Sequence, residues 1–390
     1  MFKRRQSYQG VACAVPVTVP YQRYSTHGAH WFIGKVLRGL LDASGLAKEA
    51  IDGLTVSSFS LAPDTAVGVT QHLGMSPRWL DHIPTGGASG IMALRRAARA
   101  VQAGDADIVA CIAADTNHVD SFRMMLGSFS DFARDASYPY GAGGPNSVFA
   151  FITANYMRQY GATREDFGRI AVDQRSNALK NPNALFKKPL TLDEYMGARP
   201  IAEPIHLFDC VMPCAGAEAF LVMSEERARD LGLSHVLVHG AIERHNAYAD
   251  DPVMTRGGWR VDRADLYAQA GISPAQIDFV QTYDDYPVIS MMQFEDLGFC
   301  DKGDGPQFVR MHSMTVDGSF PNNTSGGQLS CGQAGAAGGF LGMTETIRQL
   351  TGAAGERAVP GARLGLVGGF GMVAYDRCLC TGAAILGSAQ

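Results

Sequence analysis

Residues 45–58 read GLAKEAIDGLTVSS, and residues 271–284 read GISPAQIDFVQTYD. Each opens on a glycine able to stop a preceding helix, passes through a capping-like turn, and continues as Ile-Asp and a short apolar run. The match extends outward. Upstream, HWFIGKVLRGLLDASG (30–45) carries apolar residues at helical spacing, and VDRADLYAQAG (261–271) is a shorter form of the same signal. Downstream, GIMALRRAARAVQAGDADIVACIAAD (90–115) reads as helix, glycine stop and buried strand; GGFLGMTETIRQLTG (338–352) followed by RLGLVGGFG (363–371) repeats that order. Correspondences in one sequence order indicate a duplicated unit. The expected fold is α/β, with an N-terminal half over 1–250 and a C-terminal half over 251–390.

The segment from about 116 to 200 precedes the strand signal AEAFLVMS at 217–224 and has no counterpart of matching length in the second half. It is rich in Gly, Pro, Tyr and Asn, with helices predicted over 147–160 and 164–179. It reads as an inserted loop domain, the kind that covers a site or makes a subunit contact.

Composition narrows the function. The 390 residues are 46% hydrophobic and 18% charged, with a formal charge of −5, which fits a globular chain rather than a disordered one. No basic run is longer than Lys3-Arg4-Arg5, which argues against nucleic-acid binding. No apolar stretch approaches about 18 residues, so no membrane span is expected. The N-terminal MFKRRQSYQG lacks the apolar core of a secretory signal. The eight cysteines then read as reduced thiols, and the expected location is the cytoplasm.

Common catalytic signatures are missing: GxxxxGK[ST], HExxH, the GxSxG elbow, and GxGxxG between a strand and a helix. Cys210/Cys214 and Cys378/Cys380 do not form a zinc set, because the first lacks a nearby second pair and the second lies in a run that reads as a buried strand. Three glycine-rich loops remain: TGGASG (85–90), NTSGGQLSCGQAGAAGG (323–339) and VGGFG (367–371). The first two lead into predicted helices, where free backbone N–H groups and absent side chains admit an acyl group or an oxyanion. A fourth loop, TYDDYPV (282–288), places Tyr283, Asp284, Asp285 and Tyr286 at the carboxyl end of a strand, where open α/β sheets build sites. His206 reads as structural and His118 as a loop histidine, while His245, within ERHNAY, is uninformative.

With these segments in hand, the chain resembles the thiolase superfamily, most of all its sterol-carrier-protein-x type. The resemblance rests on LDHIPTGGASGIMALRRA (80–97), PIAEPIHLFDCVMPCAGAEAFLV (200–222), IDFVQTYDDYPV (277–288), FEDLGFCDKGDG (294–305), NNTSGGQLSCGQAGAAGG (322–339) and GLVGGFGMVAY (365–375), which touch both halves. It implies a thiolase fold: two βαβαβαββ halves in five αβαβα layers, with an inserted loop domain. It also implies a homodimer with acyl-CoA as substrate, no permanently bound cofactor and no metal. Relatives of this type pair with a small zinc-ribbon/OB-fold protein.

The departures from the family pattern decide the chemistry. Where the family carries its nucleophilic cysteine, this chain has Gly87, which has nothing to attack with. The histidine of the family's GHP loop corresponds to Gln333, which hydrogen-bonds but does not exchange protons near neutral pH. The cysteine of the C-terminal CxGG loop has no equivalent in LGLVGGFG, and the histidine of the HDCF loop is replaced by Tyr283.

Three readings follow. The first is a lyase resembling the superfamily's steroid side-chain aldolases, which lack both cysteines and carry Tyr at the HDCF histidine. Retro-aldol cleavage of a β-hydroxyacyl-CoA needs a base and an enolate-stabilising site, but no acyl-enzyme. Tyr283 would be that base if its pKa fell, a role that charged Asp284 and Asp285 would oppose; Gln333 and backbone N–H groups would hold the enolate oxygen. The second is an acyltransferase of the acetyl-CoA acetyltransferase kind, with Cys331 as relocated nucleophile. The third is a non-catalytic acyl-CoA-binding subunit. The expected catalytic set is Tyr283, Gln333, Asp284 and Cys331 with the backbone at Gly87. Gly86, Ser89, Asn323, Gly332, Gly368 and Gly369 are expected to shape the acyl-CoA site, with Asn323 ordering its own loop.

Overall fold

The structure, a computed structural model, describes residues 7–117, 138–141, 144–374 and 377–389. Its strands are β1 (Val11–Gln22), β2 (Gly53–Ser57), β3 (Trp79–His82), β4 (Ile108–Asp115), β5 (Pro200–Ala202), β6 (Ile205–His206), β7 (Ala215–Ser224), β8 (His235–His245), β9 (Phe279–Gln281), β10 (Leu364–Ala374) and β11 (Arg377–Ser388). Apart from the β5–β6 hairpin they form a nine-stranded sheet in the order β3-β2-β4-β7-β1-β8-β11-β10-β9.

The duplication is visible in this order. β2 pairs parallel with β4, then β4–β7 and β7–β1 are antiparallel. β9 pairs parallel with β10, then β10–β11 and β11–β8 are antiparallel. Among the described residues, the two runs join only where Ala12–Ala14 of β1 pair with His235–Leu237 of β8. β8 thus stands in the second run where β1 stands in the first, so a boundary at residue 250 falls after this strand. The edge strand β3 has as its counterpart a single bridge between Val280 and Asn322.

Side chains of a strand alternate between faces, and that alternation builds the layers. In β4, Ile108, Ala110 and Ile112 pack with Phe32, Ile33, Val36 and Leu40 of the outer helix Ala29–Ser44. Val109, Cys111 and Ala113 point the other way, toward Leu94 and Ala97 of the helix Ser89–Ala103 and Phe340, Met343 and Ile347 of the helix Gly338–Leu350. β11 repeats the pattern: Ala384 and Leu386 join the same central cluster, while Ala383 and Ile385 join Trp259 and Leu266 of the helix Trp259–Ala270. The layers therefore run helix, sheet, central helix pair, sheet, helix.

Glycine lets the central pair interlock. A Cβ on Gly90 would strike the carbonyl oxygen of Gly339, and one on Gly339 would lie 2.8 Å from the backbone of Gly87. The two glycine-rich helix entries thereby meet at the centre of the molecule.

The insertion contributes helices Pro145–Tyr160, Arg164–Leu179 and Leu192–Met196. It is bonded to the second half's glycine-rich loop. Asn177 Nδ2 donates to the Asn322 carbonyl (3.1 Å), Asn181 Nδ2 to that of Ser325 (2.9 Å), and the Leu185 N–H to that of Cys331 (3.0 Å). Of the two outcomes expected for such an insertion, this is a covering one. No described helix is long and apolar enough to cross a membrane.

Candidate active site

The entry to Ser89–Ala103, the loop after β9, the 332–335 turn, the 370–373 end of β10 and the insertion enclose a cavity of about 190 Å³. Its wall includes Gly86, Gly87, Tyr283, Asp285, Tyr286, Gln333, Gly335, Phe370 and Met372, with Pro145, Asn146 and Phe149 from the insertion.

Tyr283 is the centre of this arrangement. Its ring lies nearly parallel to that of Phe370, with centroids 6.1 Å apart. Gln333 Nε2 donates to its phenolic oxygen at 3.1 Å, which leaves the phenol's own proton available to a ligand. The backbone is clamped by Gln293, whose Oε1 accepts the Tyr283 N–H (3.1 Å) and whose Nε2 donates to the Tyr283 carbonyl (2.8 Å). Gln333 is fixed in turn, its N–H donating to the Met212 carbonyl (2.8 Å) and its carbonyl accepting the Cys214 N–H (3.0 Å).

Two glycines make room for this tyrosine. A Cβ on Gly87 would overlap Cε2 and Cζ of the Tyr283 ring and the Phe370 carbonyl oxygen. A Cβ on Gly368 would strike Oε1 of Gln293, the atom that holds the Tyr283 N–H. The tyrosine ring thus fills the space that a side chain at position 87 would need. Gly369 lets β10 approach the same turn, where a Cβ would lie 3.1 Å from the Ala88 Cα.

The electrostatics reverse one expectation. Burial, reinforced by Asp285 and Asp284 beside it, pushes the Tyr283 phenol well above its ordinary value. The phenol stays protonated at neutral pH, so Tyr283 is a hydrogen-bond donor rather than a resting base.

Asp284 turns away from the cavity wall. Its carboxylate accepts the backbone N–H groups of Gln328 (2.9 Å) and Leu329 (3.2 Å), closing the start of the short helix Gly327–Cys331. Gly327, at φ +59°, permits the approach, since a Cβ there would meet the Asp284 carboxylate. Burial raises this carboxyl to about 7. The placement is that of a capping group, not of a group reaching a ligand.

Cys331 is likewise not at the cavity. Its thiol donates to the Ser325 carbonyl (2.9 Å), accepts from Asn181 Nδ2 (3.2 Å), and is pushed up to about 12 by burial. A nucleophile needs thiolate character and access, and this thiol has neither. The relocated-nucleophile reading is corrected on that ground. Gly332, at φ +110°, turns the chain so that Gln333 faces the cavity and Cys331 does not.

The remaining candidates act on the frame. Ser89 Oγ donates to the Ile83 carbonyl (3.3 Å). Asn323, at φ +47°, donates through Nδ2 to Thr282 Oγ1 (3.2 Å) and through its N–H to the Val280 carbonyl (3.0 Å), and so orders its loop. His118 lies outside the described residues.

Asp285 and Tyr286 stand in the loop that the sequence marks as site-building but outside the expected catalytic set, and Gln293, Asn146, Phe149 and Met372 are not marked by the sequence reading at all. Gln293 had a usable signal, a lone amide in the apolar helix Pro287–Asp296, every residue of which is buried. Tyr286 stacks on Phe149 with centroids 4.0 Å apart and donates its hydroxyl to Asn146 Oδ1, a contact between segments that only the folded chain brings together.

The family described as "Thiolase C-terminal domain-like" matches residues 240–385. The "Steroid side-chain-cleaving aldolase" of Thermomonospora curvata is 33% identical over 334 residues, which cover 81% of this chain and 84% of that protein. The "17-hydroxy-3-oxo-4-pregnene-20-carboxyl-CoA lyase" of Mycobacterium tuberculosis is 33% identical over 336 residues, 81% of this chain and 85% of that one. Among solved structures, an "Ltp2-ChsH2(DUF35) aldolase" superposes with a TM-score of 0.85 at 28% identity, covering 98% of both chains.

Proposed function

Since the chain belongs to the thiolase superfamily, in the branch that holds these aldolases, we propose that it cleaves a β-hydroxyacyl-CoA by a retro-aldol reaction. The observation that carries this reading is the Tyr283 ring over Gly87. The position from which an acyl-enzyme would form is filled by a phenol whose proton is free to be donated.

In such a cleavage the β-hydroxyl loses its proton and its oxygen becomes a carbonyl. The Cα–Cβ bond breaks, and its electron pair moves onto the thioester as an enolate. Tyr283 donates a hydrogen bond to the developing enolate oxygen, and Gln333 holds the phenol in place. The backbone N–H of Gly87 lies beside it at a helix entry, whereas that of Ala88 is committed to the Thr85 carbonyl (3.1 Å). Removing one donor of this type from an oxyanion site costs about 10²–10³ in kcat.

The CoA thioester is substrate, and no permanently held cofactor is invoked. The aromatic and apolar wall formed by Phe149, Tyr286, Phe370 and Met372 suits a bulky apolar acyl group, and the names of the relatives suggest steroid acyl chains as the first compounds to try. A homodimer is proposed from the family resemblance. A small zinc-ribbon/OB-fold partner is proposed too, supported by the DUF35 component in the name of the solved aldolase.

The test is mass spectrometry of a panel of β-hydroxyacyl-CoA thioesters incubated with the protein, with the intact protein weighed in parallel. The expected result is a carbonyl product and a shortened acyl-CoA, with the protein mass unchanged. A stoichiometric acyl adduct on the protein would overturn the lyase reading.

A further inference from the structure

Among the described residues the cavity wall holds one carboxyl group, that of Asp285. The residue is 9% exposed, and although backbone N–H groups of Tyr286 and of Asp285 itself reach the carboxyl, its Oδ1 is buried without a hydrogen-bond partner among the described residues. A buried carboxylate oxygen left unpaired is costly and is retained where something else supplies the donor. Its neighbour illustrates the contrast: Asp284 is satisfied by two backbone N–H groups, and it lies off the wall. We infer that Asp285 is the proton-transfer group of this site, accepting the substrate's β-hydroxyl proton and returning it to Cα.

The inference rests on the lyase reading and names the one role that reading leaves unfilled. The other titratable groups on the wall are Tyr283, Tyr286 and Cys210. All three are pushed upward by burial, Cys210 to about 12, so none is a base near neutrality. Tyr286 is in addition committed to Asn146. Burial and the adjacent Asp284 raise Asp285 as well, while the backbone N–H groups of Tyr286 and of Asp285 itself draw it back. It alone on the wall starts from the carboxylate range, so the same push that keeps the phenols and the thiol protonated makes its ionised form a stronger base than an exposed carboxylate.

The step balances without a further reactant. The carboxylate of Asp285 takes the O–H proton as the Cβ–O bond becomes a carbonyl and the Cα–Cβ pair passes to the enolate. The carbonyl product leaves, and the protonated Asp285 delivers the same proton to Cα, regenerating the carboxylate and a saturated acyl-CoA. Tyr283 keeps its proton throughout.

The experiment compares the full-length protein, with any partner subunit that co-purifies, against Asp285→Asn and Asp285→Ala on a β-hydroxyacyl-CoA that the wild type cleaves. Asp285→Asn is expected to lower kcat by about 10²–10⁴, the usual contribution of a general acid–base group, with KM changed less than about threefold. Asp285→Ala is expected to regain turnover with added formate, in proportion to its concentration. That rescue separates a proton-transfer role from a structural one, and it stays readable if the Asn variant is unstable. Cleavage by Asp285→Asn within threefold of wild type, or an inactive Asp285→Ala that formate does not restore, overturns the assignment alone. No cleavage of any panel member by the wild type overturns the lyase reading and the assignment together.

Discussion

A methyl group on Gly87 would overlap the Tyr283 ring carbons Cε2 and Cζ and the Phe370 carbonyl oxygen, so these residues form a matched set in which each change constrains the next. Forcing a side chain into a packed core costs about 1–3 kcal/mol, and Gly87→Ala should lose that much in urea denaturation. Tyr283→Ala in the same chain should recover part of the loss, because the ring is the obstacle. Strict additivity of the two changes would show that position 87 is limited by the Phe370 carbonyl alone. Tyr283→Phe tests the hydroxyl without moving the ring. The partner lost is the Gln333 amide, so kcat should fall about 10²–10³ while the melting temperature stays close to wild type. Retained kcat would remove the phenol from the chemistry. The sequence shows a tyrosine at a strand's carboxyl end and a glycine at a helix entry. It does not show that one occupies the other's volume, because they are 196 positions apart and meet only through the contact of the two halves.

The elements explain which parts of the site could be read in advance. Helix and strand periodicities are local, so the helices Ser89–Ala103 and Gly338–Leu350 and the strands β4 and β10 emerge from the sequence near their observed bounds. β8 was harder: it follows β7 through only the short helix Glu225–Asp230, with no linker to mark a boundary. Loop side chains depend on backbone turns that spacing does not encode. Cys331 and Gln333 are two residues apart, yet Gly332 at φ +110° sends them to different surroundings. Asp284 and Asp285 are adjacent, yet one closes a helix and the other lines the cavity. The Asp284 cap predicts a pH signature. Its folded-state pKa is raised by burial to about 7 from the ordinary carboxylate value of 3.8. The folded protein therefore holds a proton that the unfolded chain has released, and this contribution to stability is full below about pH 4 and is lost as pH rises through about 7. Asp284→Asn removes the titration, and it also relaxes Asp285, which Asp284 helps to raise. The stability of wild type minus that of Asp284→Asn should fall steadily between pH 4 and 7.5 in thermal melts. A flat or rising difference would mean that the carboxylate is ionised in the folded protein throughout.

At the scale of the whole molecule, the two halves are joined by little main-chain pairing and much buried polar chemistry. β1 and β8 meet over Ala12–Ala14 and His235–Leu237, whereas Glu218 of β7 gathers groups from both sides. Its carboxylate accepts the hydroxyls of Thr18 (2.7 Å) and Tyr21 (3.0 Å) from the first half and that of Thr344 (2.7 Å) from the second. Arg348, on the helix that carries Thr344, donates to Thr18 Oγ1 at 2.7 Å and draws the Glu218 carboxyl down against the upward push of burial. The central helices are apolar on the faces they turn to both sheet runs, so neither half could expose that surface and remain compact. Unfolding should then be a single event despite the duplicated architecture. Glu218→Ala takes this acceptor from the hydroxyls of half-buried Thr18 and buried Tyr21, while Thr344 keeps the Phe340 and Leu341 carbonyls, and a buried polar group left unsatisfied costs about 1–3 kcal/mol. The loss should be shared. Hydrogen exchange should show protection falling together in β4 and β11, each the neighbour of the central helices in its own half, with one transition in urea before and after the substitution. Protection that survives in one strand while it vanishes in the other would show that the halves are separable units and that the Glu218 cluster is local to the first.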